Sequence, residues 1–196
     1  MTITINGSGT IAGITAGGLP DAVIQTADIV DLAVTPAKMS QKLTSGTSVA
    51  STSGTSIDFT SIPSWVKRIT VIFSGVSTNG TSNYLVQVGS GSITSTGYGA
   101  SSSVTATSSA TTNFSTGFGI ANNGSAAQTN SGSMTILLVG SNTYVSNHTL
   151  GVTNLNNSIF GGGNITLGGT LDRIRVTTVN GTDTFDAGSI NIMYEG

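Results

Sequence analysis

Apolar and polar positions alternate with period two in several short runs, and no stretch of any length shows the helical period. In Val66–Val76 the residues Ile69, Val71 and Phe73 share one face. Ile174, Val176 and Thr178 do the same within Leu171–Val179, and Ile190, Ile192 and Tyr194 within Ser189–Tyr194. Further strands are expected at Ser56–Phe59, Tyr84–Val88, Ser103–Thr107, Phe114–Ile120, Ser133–Val139, Tyr144–Leu150 and Asn164–Leu167. Gly- and Asn-rich turns separate these runs, so sequential strands should pair mostly antiparallel. The expected fold is all-β, an antiparallel sandwich or jelly roll spanning residues 46–196. Gly89–Ser109 and Ile120–Ser133 are the least strand-like stretches and are expected to form long loops suited to recognition.

Residues 1–45 read differently. Thr2–Ile5 alternates, Asn6-Gly7 suggests a turn, and the apolar residues from Val23 to Val34 are poorly spaced for one helix. Thr35-Pro36-Ala37-Lys38 is a helix start, with Thr as N-cap and Pro at the first helical position, and the helix should run to about Leu43. So thin a segment cannot bury its own apolar side chains. It is expected to wrap around copies of itself or to dock on a larger structure.

Charge narrows the function. From Ile69 to Leu171 the chain has no Asp, Glu, Lys or Arg, and only His148 titrates near neutrality. Enzymes need ionisable groups to move protons or to hold a metal, so this pattern points to binding or building rather than catalysis. Only six Lys and Arg and a net charge of -2 leave no basic field for nucleic acid. The lack of Cys excludes disulfides and thiolate metal sites, and no cofactor or metal is expected. No apolar run has the length of a membrane span, so membrane insertion is not expected. The opening Met1-Thr2-Ile3-Thr4 has no basic or apolar leader pattern. The corresponding expectation is a product of the cytoplasm released by lysis as part of a particle.

Several side chains stand out. Trp65, the single Trp, enters the strongest strand and is expected to be a core or interface anchor rather than a sugar-stacking platform. Arg173 and Arg175 alternate with Ile174 and Val176, and Asp172, Asp183 and Asp186 are their expected ion-pair partners. Asn180-Gly181 is a hairpin signal. With Asn180, the carboxylates of Asp183 and Asp186 do not match an EF-hand loop. Asp58, Asp183 and Asp186 lack the enforced spacing of a glycosidase pair. His148 has no second His and is expected at the surface or a subunit contact. A recognition surface, if present, should draw on Tyr98, Asn122, Asn123 and Tyr144, with Asn142 nearby. Their hydroxyl, amide and ring groups suit neutral glycans. Tyr98 is the candidate expected to be exposed, whereas Phe114 and Phe118 read as core.

The run Ile62-Pro63-Ser64-Trp65-Val66-Lys67-Arg68-Ile69-Thr70-Val71-Ile72-Phe73, continuing through Gly75–Ser82, resembles a module of tailed-bacteriophage and prophage virion proteins of the tail-fibre kind. Thr116-Gly117-Phe118-Gly119-Ile120 and the segment Gly169–Ile192 are similar to the same family, so the resemblance spans about residues 54–195. Asp31–Lys38 resembles a shaft or attachment repeat present here in one good copy, which favours a short fibre, a collar or neck appendage, or a small spike. The resemblance implies a virion structural protein, assembled in the host cytoplasm as a homotrimer. Residues 1–45 would bind other virion proteins, and the β domain would meet host surface glycans. Two other readings remain open: a capsid head fibre or neck decoration without receptor binding, and a carbohydrate-binding adhesin module.

Overall fold

The computed structural model describes Lys38 and residues 42–105, 110–121 and 124–196. The chain divides into two compact units, Met1–Ser40 and Gln41–Gly196, and the described strands all belong to the second. The segment expected to attach or oligomerise, and most of the helix expected from Thr35, lie outside the described residues. Lys42 and Leu43 are irregular, and Thr44 and Ser45 pair with Tyr194 and Met193, so these last positions of the 1–45 segment belong to the β unit.

Two antiparallel sheets form a sandwich. The larger has nine strands, eight of them in the order β1 (Thr44–Ser45), β14 (Phe185–Glu195), β4 (Arg68–Thr78), β10 (Asn130–Gly140), β11 (Thr143–Val152), β12 (Asn157–Thr166), β7 (Gly99–Thr105) and β8 (Ala110–Phe114). The ninth, β2 (Val49–Ala50), also pairs with β14. The smaller sheet runs β3 (Ile57–Phe59), β13 (Arg173–Thr178), β5 (Tyr84–Ser90) and β6 (Ser92–Ile93), with β9 (Phe118–Ile120) also on β5.

Alternation sets which residues meet between the sheets. The larger sheet turns Ile69, Val71, Phe73, Met134, Ile136, Leu150, Ile159, Ile190 and Ile192 inward, and the smaller answers with Ile57, Phe59, Val86, Val88, Ile174 and Val176. Burying each such side chain contributes roughly 1.5–3 kcal/mol. The β10–β11 hairpin turns through Ser141 and Asn142, both at positive φ (47° and 59°), which matches the right-handed twist of its strands. Asn180-Gly181 also forms a turn, but it does not close a hairpin. Strand β13 lies in the smaller sheet and β14 in the larger, so the turn carries the chain from one layer to the other.

Two stretches expected as loops contain strands. Gly89–Ser109 holds β7, and β10 begins at Asn130, inside Ile120–Ser133. Strand β12 likewise starts at Asn157, well before the expected Asn164. These segments are rich in Ser and Gly and have little intrinsic strand preference. Their neighbours impose the extended form: β12 is paired along its length with β11, and on its other side with β7.

The long β4–β14 ladder carries facing irregularities at Gly75 (φ 62°) and Gly188 (φ 88°), where the register shifts. A side chain at Gly188 would run into the Gly75 carbonyl, whereas one at Gly75 meets open space. Ser51 ties the bulge down, its N–H donating to Gly188 O at 2.9 Å and its hydroxyl to Ala187 O at 2.7 Å. Gly75→Ala is therefore expected to cost about 1 kcal/mol from φ alone, and Gly188→Ala at least about 3 kcal/mol. Urea unfolding of the two variants checks this order, and equal losses would contradict it.

Candidate functional site

The charged side chains that directly follow the neutral stretch lie on the smaller sheet, while Arg68, which precedes it, pairs with Glu195 on the larger. On the outer face of the smaller sheet Arg175 makes a two-pronged pair with Asp58, at 2.7 and 2.8 Å, across the β13–β3 ladder. Arg173 pairs with its neighbour Asp172 at 2.7 Å, and Asp172 also accepts the Gly91 N–H at 3.1 Å. The Arg173 guanidinium holds the Asp172 carboxyl below the ordinary carboxylate range. Both pairs are largely solvated, so they contribute little to stability. The expected Arg173–Asp172 pair is thus present, but Arg175 takes Asp58, a partner the sequence did not suggest.

Asp183 and Asp186 bind no arginine among the described contacts. Asp183 accepts the Ser82 N–H at 3.0 Å and the Asn180 side-chain amide, while Asn180 Oδ1 accepts the N–H groups of Thr182 and Asp183 at 3.1 and 3.2 Å. This is a self-capping turn. Asp186 accepts a hydrogen bond from Ser77. Among the described residues no three His, Cys, Asp or Glu side chains gather as a metal-binding group. Trp65 is half-buried against the core, with its ring 5.9 Å from that of Tyr194.

The aromatic recognition candidates behave unlike their expectation. Tyr98 is 5% exposed, not exposed. Its hydroxyl accepts the Val88 N–H at 2.8 Å and lies 3.0 Å from Thr94 O, and its ring meets that of Phe118 edge-on at 5.1 Å. Burial pushes its phenol up to about 12. Tyr144 is also buried, and its oxygen accepts the Leu171 N–H at 3.1 Å. These phenols fasten loops to strands and offer no free hydroxyl to solvent. Phe114 and Phe118 are core, as read. Asn122 and Asn123 lie outside the described residues.

His148 is a correction of a different kind. It is 3% exposed, with Nε2 2.9 Å from Ser102 Oγ and no hydrogen-bond partner for Nδ1 among the described residues. Ser102 in turn accepts the Ala121 N–H at 3.1 Å. Gly161, opposite His148 in the ladder, leaves room for the imidazole, since a Cβ there would lie 2.7 Å from its Cε1. Among the described residues the Ser102–His148 contact is buried, without a carboxylate partner of the kind a nucleophilic triad would place on Nδ1.

The outer face of the larger sheet is where uncharged groups gather. Register places Asn147, Gly162, Ser101 and Asn113 in one row across β11, β12, β7 and β8, with Thr149, Phe160, Ser103 and Thr111 in the next. Phe160 is 48% exposed, large for an aromatic ring, and the sequence reading missed it. Its signal was the alternation with buried Ile159. An open groove of about 530 Å³ lies at this face, lined by Tyr98, Gly99, Ala100, Ser101, Asn113, Phe114, Ser115 and Gly162. So Tyr98 does border a cavity, although it is only 5% exposed. A second depression of about 420 Å³, on the smaller sheet, is lined by Gln87, Thr177, Asn180 and the paired Arg175 among others.

Compared with protein-family models, with curated proteins and with solved structures, the chain matches none. A functional reading therefore rests on the geometry and on the sequence signatures.

Burial lowers the His148 pKa from 6.5 to about 4. Both states are neutral at this ring above pH 6.5. Below it the unfolded chain takes up the proton first, so stability falls with pH until the folded value near 4 is passed, a loss of about 3 kcal/mol. Urea midpoints measured from pH 7 to about pH 5 should fall for the native chain and stay nearly flat for His148→Gln. Equal slopes would show that His148 is not the titrating group.

Proposed function

We propose that this chain is a bacteriophage virion structural protein, a tail or collar fibre whose β-sandwich is displayed on the particle and contributes to attachment at the host surface. The observation that carries the reading is the division of labour between the two outer faces. The smaller sheet holds the Asp58–Arg175 and Asp172–Arg173 pairs, while the larger presents hydroxyls, amides and one exposed ring, with Arg68–Glu195 at one corner. Such a face works by non-covalent contact, and weak contacts become useful when repeated over many copies. The carboxylates also support a non-catalytic reading: Asp58 and Asp172 are tied to arginines, and Asp183 and Asp186 to turn and strand donors. The long signatures at Ile62–Phe73 and Gly169–Ile192 supply the virion assignment through their resemblance to tail-fibre modules. A homotrimer joined to other virion proteins through residues 1–45 belongs to the same proposal.

One observation favours the runner-up, a head fibre or neck decoration without a receptor. Leu43, Leu137 and Val139 are exposed at 58, 38 and 68%. Apolar side chains of this kind suit burial against neighbouring particle proteins.

Cryo-electron microscopy of intact particles, with the chain labelled, separates these readings. Density projecting from the tail or collar is the expected result. Density lying flat on the capsid or neck with Leu137 and Val139 covered would transfer the assignment to decoration, and absence from the particle would overturn the virion reading.

A further inference from the structure

We infer that the groove beside β7, β8 and β12 is a binding site for an uncharged saccharide. The inference rests on the attachment reading above and names the class of ligand. Every strand lining the groove comes from the stretch without Asp, Glu, Lys or Arg, so nothing there can form an ion pair with a ligand. An anionic or cationic ligand would leave its charge unmatched as it lost water.

What the groove does offer is the complement of a neutral sugar. Ser101, Asn113 and Ser115 supply hydroxyl and amide groups that both donate and accept. Tyr98 and Phe114 border the groove but are only 5% and 7% exposed, so the carbon surface for a ligand comes from Phe160 nearby. Gly162 leaves the floor open, and the fold keeps it so: a Cβ there would lie 2.7 Å from the Ser146 carbonyl. Two residues along the same strand, on the same face, Phe160 stands exposed at the approach to the groove, placed to meet the apolar face of a sugar ring. The volume of about 530 Å³ falls within the range of small-ligand sites. The groove is shallow and open, which suits the terminal or branching units of a longer chain more than a free metabolite.

The test is binding of the full chain to a printed panel of neutral and acidic di- to tetrasaccharides, followed by titration calorimetry with the strongest neutral member. Binding is expected to neutral members only, unchanged between about 20 mM and about 500 mM salt because no charge pair is involved. Asn113→Ala and Phe160→Ala, both at exposed positions, should each weaken it roughly tenfold with thermal unfolding unchanged, and Phe160→Tyr should restore it. No binding, preference for acidic sugars, strong salt dependence, or indifference to both variants would overturn the inference. A chain found on the particle that binds no neutral sugar would defeat this inference alone. A sugar-binding chain absent from the particle would defeat the virion reading alone.

Discussion

Burial of two sheet faces against each other is the interaction on which everything else in this molecule depends. Ile69, Val71, Phe73, Met134 and Ile136 of the larger sheet meet Val86, Val88, Ile174 and Val176 of the smaller, all of them nearly or wholly out of contact with water. There is no disulfide to hold the layers. The apolar contact must do so, at about 25 cal/mol for each Å² removed from water. Many polar groups in the interior are paired, though Thr78 Oγ1, Ser146 Oγ and His148 Nδ1 have no partner among the described residues. Tyr98, Tyr144 and Ser102 each serve a backbone N–H that would otherwise be stranded, and Gln128 donates to Asn130 at 2.7 Å.

The same requirement decides what is left for the outside. Alternation commits every second residue to the core, so the remaining half of an uncharged segment forms a face that is itself uncharged. On β11, β12, β7 and β8 this gives Asn147, Gly162, Ser101 and Asn113, with Phe160 one row away. Among the described residues the ion pairs fall on the smaller sheet and at the Arg68–Glu195 corner, with Asp183 and Asp186 at the turn into and the start of β14. A neutral outer face is thus a consequence of where the charges sit in the sequence as much as of the fold.

Much of the architecture was legible wherever alternation is carried by branched and aromatic side chains. β4, β13 and β14 lie close to their expected positions because Ile, Val and Phe mark their inner faces without ambiguity. β7 and the first half of β12 were not legible. Ser101, Ser102 and Ser103, and Gly161, Gly162 and Gly163, carry no apolar alternation, and only pairing with neighbouring strands makes them extended. The site suffered from the same blindness. Tyr98 was expected to be exposed because glycines flank it, yet Gly97, at φ 83°, turns the chain where the ring packs into the core. His148 was readable in principle: it shares the register of Tyr144, Leu150 and Val152, and that period places it inward. The Asp58–Arg175 pair was beyond reach, since it joins strands far apart in the chain whose adjacency follows only from the sheet order.

We propose that the uncharged outer face of the larger sheet makes the contact with the host. Competition for adsorption tests it most directly. Cells susceptible to the particle are coated with the purified chain, either native or Phe160→Ala, before infection. The account predicts that the native chain slows adsorption in low and high salt alike and that Phe160→Ala does so far less. Adsorption unaffected by the native chain, or slowed equally by both, would contradict it.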